Sequence, residues 1–167
     1  MANNLENILS DRMETSEDTQ KNRFLTFLVG NEGYGIEIQY ITEIINVLAI
    51  TKIPELPEYV KGIINLRGKI VPVMDVRLRF GKTAREYDDR TCIIVMNMGD
   101  LIIGLIVDSV SEVLTIPEED ISDPPQVGAR GSVFIRKIGK SPGGMKLLLD
   151  CNRLLMEENT EDLSDEV

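Results

Sequence analysis

Gly62 to Gly81 reads GIINLRGKIVPVMDVRLRFG, and this stretch decides the fold. Two apolar runs, Ile63-Ile64-Asn65-Leu66 and Ile70-Val71-Pro72-Val73-Met74, flank Arg67-Gly68-Lys69. β-Branched residues on both sides of a glycine-containing turn predict a β-hairpin. Asn65 is the one polar residue in the two runs, so both strands are expected to be covered on both faces. Pro72 has no N–H for a ladder and is expected at a sheet edge or a bulge. Arg67 then stands at the tip of a stiff hairpin. Its plain reading is a solvated turn arginine; its functional reading is a guanidinium held out for a partner.

Outward from the hairpin the chain reads as short strands. Phe24 to Val29 and Tyr34 to Ile38 are predicted strands joined at Asn31-Glu32-Gly33. Ile41, Ile44 and Ile45 have helical spacing and predict a short helix. Val47 to Ile53 reads as a further strand, and Pro54 and Pro57 bracket a loop. Asp75 to Phe80 reads as a short helix stopped by Gly81, and 82–90 as a charged linker. From Thr91 the chain repeats itself at an offset of 69: Gly30 with Gly99, Gly35 with Gly104, Glu43 with Glu112, and the apolar positions between them. Val73-Met74-Asp75 returns as Leu148-Leu149-Asp150 at an offset of 75, the extra residues entering around 117–131. Val133 to Ile138 and Met145 to Leu149 supply the last strands, and Cys151 to Met156 a terminal helix.

The expected fold is therefore mainly β: two pseudo-repeated five-stranded β-barrel subdomains packed side by side, with short helices, since small closed barrels remove exposed edges. The expected divisions are a disordered lead over 1–22, a first subdomain over 23–90, a second over 91–156 and an acidic tail over 157–167. Leu5, Ile8, Leu9 and Met13 have helical spacing within the polar lead, too few to sustain an isolated helix. Trimming 1–20 or 158–167 is expected to cost little stability.

The 167 residues carry a formal charge of −10, with a pI near 4.6. That balance argues against nucleic acid and anionic membrane surfaces as partners. Residues 61–90 alone carry eight Lys/Arg against four Asp/Glu. This basic band suits an acidic protein partner, or is simply a solvated face. The polar N-terminus has no signal-peptide pattern, and the apolar runs are strand-sized, so membrane insertion is not expected. Cys92 and Cys151 lack CxxC spacing and fit buried free thiols in the cytoplasm. The chain has no histidine, which removes most catalytic triads and the common zinc sites. Gly139-Lys140-Ser141 imitates the end of a phosphate loop, but Phe134 stands where the first glycine is needed. No catalytic residue, metal ligand or cofactor is expected.

The order Gly62-Ile63-Ile64-Asn65-Leu66-Arg67-Gly68, then Ile70 to Asp75, Arg77 and Phe80, resembles the signature of the CheW family, adaptors that couple chemoreceptors to the histidine kinase CheA. The resemblance runs from about Phe24 to Leu155. It implies a non-enzymatic scaffold that binds the cytoplasmic hairpin tip of a receptor between its subdomains and the kinase's regulatory domain on the first. The receptor-facing positions it implies are Ile41, Glu43, Ile44, Gly62, Asn65, Arg67, Cys92 and Gly104. The kinase-facing ones are Thr51, Ile53, Lys61 and Asp89, and Ile121, Ser122 and Val127 are implied in array contacts. Arg136-Lys137 replaces a glycine common in the family. Glu43 and Arg67 are expected to form an ion pair. The alternatives are a small-molecule-binding or enzymatic barrel, or an adaptor of the same family serving surface motility.

Overall fold

The computed structural model describes residues 21–125 and 133–156. The central stretch folds as the hairpin β4 (Val60–Leu66) and β5 (Lys69–Asp75), with Leu66 opposite Lys69. Its two-residue turn has φ of 51° at Arg67 and 87° at Gly68, and two positive values are what a turn matching the strand twist requires. The Asn65 side chain accepts a hydrogen bond from Gly68 N–H at 2.8 Å and holds that turn. The hairpin is not covered throughout, as its apolar runs suggest. Ile64, Leu66, Val71, Val73 and Met74 are buried, whereas Asn65 is exposed and Ile70 is 63% exposed.

Before the hairpin come β1 (Arg23–Val29), β2 (Glu32–Glu37) and β3 (Ile41–Asn46). After it follow α1 (Val76–Arg79), β6 (Cys92–Asn97), β7 (Ile102–Val107) and β8 (Ser109–Thr115). The chain continues with β9 (Ile121–Ser122), β10 (Ile135–Ser141), β11 (Gly144–Leu149) and α2 (Cys151–Leu155). One sheet has the order β3-β6-β7-β5-β4 and the other β8-β1-β2-β11-β10-β9. The mainly β architecture of two sheets of five and six strands, with few short helices, is thus as expected.

The repeat is present in detail. Asp75 and Asp150 each cap the helix that follows, accepting from Leu78 N–H and Arg153 N–H. Asp75 N–H donates to Tyr59 O at 2.7 Å and Asp150 N–H to Phe134 O at 2.8 Å, both members again 75 residues apart. Gly35 lies opposite Leu148 in one parallel pairing and Gly104 opposite Val73 in the other. Sheet membership, however, cuts across the division expected at residue 90. The first two strands of each repeat join the last strands of the other: β1 and β2 lie with β8 to β11, and β6 and β7 with β3 to β5.

Three further expectations are corrected. Ile41 to Ile45 is not helix but strand β3. Its register against β6 shifts between Ile41 and Glu43, and this bulge inserts one residue, so that Ile41 and Ile44, three apart, both point inward and are buried. A bulged strand thus imitates helical spacing. Val47 to Ile53 is not a strand; Thr51 alone bridges Ile63, through two hydrogen bonds of 2.9 Å. Gly62, at φ 144°, permits that approach, since a Cβ there would lie 2.1 Å from Thr51 O. Pro72 lies neither on an edge strand nor at a bulge. β5 is interior, and Pro72 sits one residue before the parallel pairing with β7 begins at Val73, where only β4 needs its hydrogen bonds.

Alternation along β6 and β7 builds two cores at once. Cys92, Ile94 and Met96 of β6, with Ile103, Leu105 and Val107 of β7, face the large core that also holds Leu25, Phe27 and Val29 of β1. Ile93, Val95 and Ile106 face the interior of the five-stranded sheet, with Ile64, Leu66, Val71 and Val73. Each such side chain contributes about 1.5–3 kcal/mol when fully buried. Inside the six-stranded sheet a smaller cluster gathers Phe24, Ile116 and Leu148. Arg79 joins the two repeats. Its guanidinium lies 4.5 Å from the Tyr59 ring centre and 4.7 Å from that of Phe134, while its Nε donates to Leu154 O and its Nη2 to Met156 O. The 82–90 segment has no regular element, as expected of a linker, yet it is anchored: Tyr87 packs against the five-stranded core and donates to Asp75 Oδ2 at 2.7 Å.

Candidate functional site

β3 and β4 are the two edge strands of the five-stranded sheet, and the sheet curls until Glu43 of one meets Arg67 beside the end of the other. Arg67 Nη1 donates to Glu43 Oε1 at 3.1 Å and Nη2 to Oε2, so the pair is bidentate. The fork-to-carboxylate geometry fixes both planes. The Arg67 side chain is 70% exposed and that of Glu43 25% exposed, so the pair closes the seam yet remains open to a partner. The hydrogen bond to Glu43, with its negative charge, raises the Arg67 pKa further above its already high value. A depression of about 300 Å³ adjoins the pair, with Leu66, Val71, Val95 and Ile102 among its walls.

The residues expected to face a receptor separate into two groups. Glu43, Asn65 and Arg67 are accessible and lie around one hairpin turn and the strand facing it. Ile41, Ile44 and Cys92 are buried in the large core, and Gly62 and Gly104 are buried where backbone or side chains leave no room for a Cβ. Gly104 would place a Cβ 2.6 Å from Ile93 Cγ2. Burial raises the pKa of the Cys92 thiol and pushes that of Cys151 up to about 12, so both stay protonated and inert at neutral pH.

Thr51, Ile53 and Lys61 fall on one strap and the strand beside it, joined by the Thr51–Ile63 bridge. Ile53 is 40% exposed, as its position before Pro54 suggests, and Leu48 and Leu56 on the same strap are exposed to a similar degree. Leu48 falls in the stretch that reads as strand and Leu56 in the proline-bracketed loop, so the sequence alone does not bring them together with Ile53. Asp89 is exposed in the segment before β6, and no hydrogen bond or ion pair links it to Thr51, Ile53 or Lys61. Ile121 is half-buried against the small cluster, Ser122 is exposed opposite Ile138, and Val127 lies outside the described residues.

A second polar cluster ties the linker to the rest. Asp108 accepts from Arg77 at 2.6 Å, from Arg85 at 3.3 Å and from Gly30 N–H at 2.7 Å. Asp88, held below the usual carboxylate range first by the Arg90 backbone N–H, also pairs with Arg85. Among the described residues no three His, Cys, Asp or Glu side chains are placed to hold a metal ion. No helix among them is long and apolar enough to cross a membrane.

A family profile described as the CheW-like domain matches residues 23–159. The chain belongs to the CheW-like family. A chemotaxis protein CheW from Klebsiella aerogenes is 37% identical over 142 residues, covering 84% of this chain and 86% of that protein. The crystal structure of the scaffolding protein TtCheW from Thermoanaerobacter tengcongensis superposes with a TM-score of 0.76 at 37% identity, covering 82% of this chain and 94% of that one. Protein FrzA of Myxococcus xanthus is also similar, 25% identical over 147 residues, or 87% of this chain and 92% of FrzA. The CheW-like match spans both repeats, so the exchange of strands between the two sheets lies within the shared domain.

Proposed function

We propose that this CheW-like chain is a non-enzymatic cytoplasmic adaptor that couples chemoreceptor cytoplasmic tips to the regulatory domain of the histidine kinase CheA. The single observation that carries the receptor half is the bidentate Arg67–Glu43 pair, which is accessible and supported by a turn locked through Asn65. An oriented guanidinium beside a shallow depression with apolar walls suits a helical hairpin that offers carboxylates and aliphatic side chains. Ile41, Ile44, Cys92, Gly62 and Gly104 act from beneath, setting the positions of β3, β4 and β6 rather than touching the partner. The kinase half rests on the strap, where Ile53 stands among exposed leucines next to Thr51 and Lys61. An apolar patch of this kind is a reasonable seat for a partner domain.

The experiment is a paired binding assay with receptor tip peptide and kinase regulatory domain from one genome. Ile53→Asp is expected to weaken kinase binding and leave receptor binding near normal. Equal loss of both would point to a damaged sheet instead, and binding of neither partner by the unmodified chain would refute the adaptor reading.

A further inference from the structure

The strap before β4 is held at two points. Thr51 exchanges two backbone hydrogen bonds of 2.9 Å with Ile63, and Val60 N–H donates to Pro57 O at 3.0 Å. Between these anchors Ile53-Pro54-Glu55-Leu56 makes a tight turn. Proline at its second position and a φ of 67° at its third, Glu55, are the pattern of a type II turn. That third position favours glycine or asparagine, because a Cβ crowds the backbone at positive φ. Glu55 nonetheless occupies it. It is exposed and makes no hydrogen bond or ion pair with any described residue, so no contact of its own side chain within the described fold offsets the strain.

Two other described residues besides glycine have a positive φ, Asn22 and Arg67. Asparagine tolerates this conformation. Arg67 is the other long charged side chain set on a left-handed turn, and it stands out at the seam assigned to the receptor. Glu55 has the same backbone setting on the strap assigned to the kinase. Ile53 and Leu56, 40% and 43% exposed, are the first and last residues of its turn, and the ends of such a turn lie within about 7 Å of each other. A carboxylate beside two uncovered aliphatic side chains matches a lysine or an arginine, whose stem packs along apolar surface while its head group pairs with the charge.

We propose that Glu55 is a specificity-determining residue of the strap, receiving an arginine or lysine of the kinase regulatory domain while Ile53 and Leu56 take the apolar surface around that cation. The proposal rests on the assignment of the strap to the kinase. Pro54 and the two anchors preset the turn, so the carboxylate is placed before the partner arrives. Strained backbone gathers at ligand clamps of this kind.

The test measures the affinity of the full chain for the kinase regulatory domain across ionic strength, with receptor-tip affinity and the unfolding midpoint alongside. Glu55→Gln is expected to weaken kinase binding about tenfold and to flatten its salt dependence, with receptor binding and the midpoint unchanged. Glu55→Lys should weaken it further. Glu55→Asn, suited to the positive φ, should raise the midpoint by about 2 °C and yet bind the kinase no better than Glu55→Gln. A merely structural role predicts otherwise, a stabler turn with binding kept or improved. Unchanged kinase affinity in Glu55→Gln, beside a loss in Ile53→Asp, would overturn the role of Glu55 and keep the strap as the kinase seat. Unchanged affinity in both variants would remove the strap from the kinase interface, and the proposal with it.

Discussion

The five-stranded and six-stranded sheets are made of equivalent strands, yet only the first is filled by described residues and clasped across its edges. Inside the first, seven buried side chains pack with Tyr87 and four other partly buried residues; inside the second, three buried side chains pack with Leu114 and Ile121, and two of the three, Phe24 and Leu148, line a cavity. Glu43 has Arg67 across the seam of the first sheet. Its counterpart Glu112 is exposed without an ion pair among the described residues, because Pro142 stands where an arginine would be. Gly62 lets the Thr51 strap press onto β4, whereas Lys137 occupies the corresponding position in β10. Duplication thus supplied one scaffold twice, and the side chains then made one copy rigid enough to hold an oriented charge pair. In the other copy they left space.

The strongest way to break this contrast is at Gly62. Gly62→Val puts a side chain into Thr51 O from a backbone with φ of 144°, and is expected to cost about 3–5 kcal/mol in a denaturant titration. Lys137→Val in the other sheet should cost under about 1 kcal/mol, since that strand already carries a side chain there. Next come the two packed glycines. Gly104→Ala meets Ile93 Cγ2 at 2.6 Å in a full core, and Gly35→Ala meets Leu148 Cδ2 at 2.8 Å beside the cavity. The first should cost about 1–3 kcal/mol; the second should cost less than half as much, because Leu148 has room to move. Equal costs would mean that the cavity is not available to Leu148.

Stability should also fall with alkali. Burial pushes the Cys151 thiol from 9.0 up to about 12, and raises Tyr87, whose bond to Asp75 adds to the shift. In the unfolded chain these groups release their protons first, so between about pH 9 and 12 the native state binds more protons and stability declines with rising pH. The buried thiol alone contributes a slope of up to about 1.4 kcal/mol per pH unit. Cys151→Ala should flatten the pH dependence of the unfolding midpoint in that window, and an unchanged slope would remove the thiol from the account.

How much of this was legible in the sequence follows from what periodicity encodes. The β4–β5 hairpin, the short helix stopped by Gly81 and the repeat were readable because glycine and proline act locally, whereas the role of Asp75 as the cap of that helix emerges only from the structure. The Arg67–Glu43 pair was readable too, though on a strand instead of a helix. β3 was misread because a bulge shifts its inward residues to a spacing of three, and only the partner strand reveals the extra residue. The exchange of strands between repeats was invisible for a related reason. Alternation tells which face of a strand is buried and not which strand lies beside it. Ile41, Ile44, Cys92 and Gly104 lie outside the matching stretch and are buried in the sheet, and a resemblance does not separate a contact from its support. Arg79 left no local sign of the two rings it joins.

The smallest stability effect belongs to the charge pair, which is the residue set on which the adaptor reading depends most. As a largely exposed pair it should contribute about 0.2–1 kcal/mol to folding. At a receptor interface the charge-assisted bond is worth about 1.5–3 kcal/mol, or roughly 10- to 150-fold in affinity. The decisive measurement is a double-mutant cycle on receptor-tip affinity with Arg67→Ala, Glu43→Ala and the pair, with kinase binding as control. Each single variant is expected to weaken receptor binding with kinase binding unchanged, and the double variant to weaken it by less than the sum. Strict additivity would show that the pair does not act as a unit, and unchanged affinity in both single variants would contradict the assignment of this seam to the receptor.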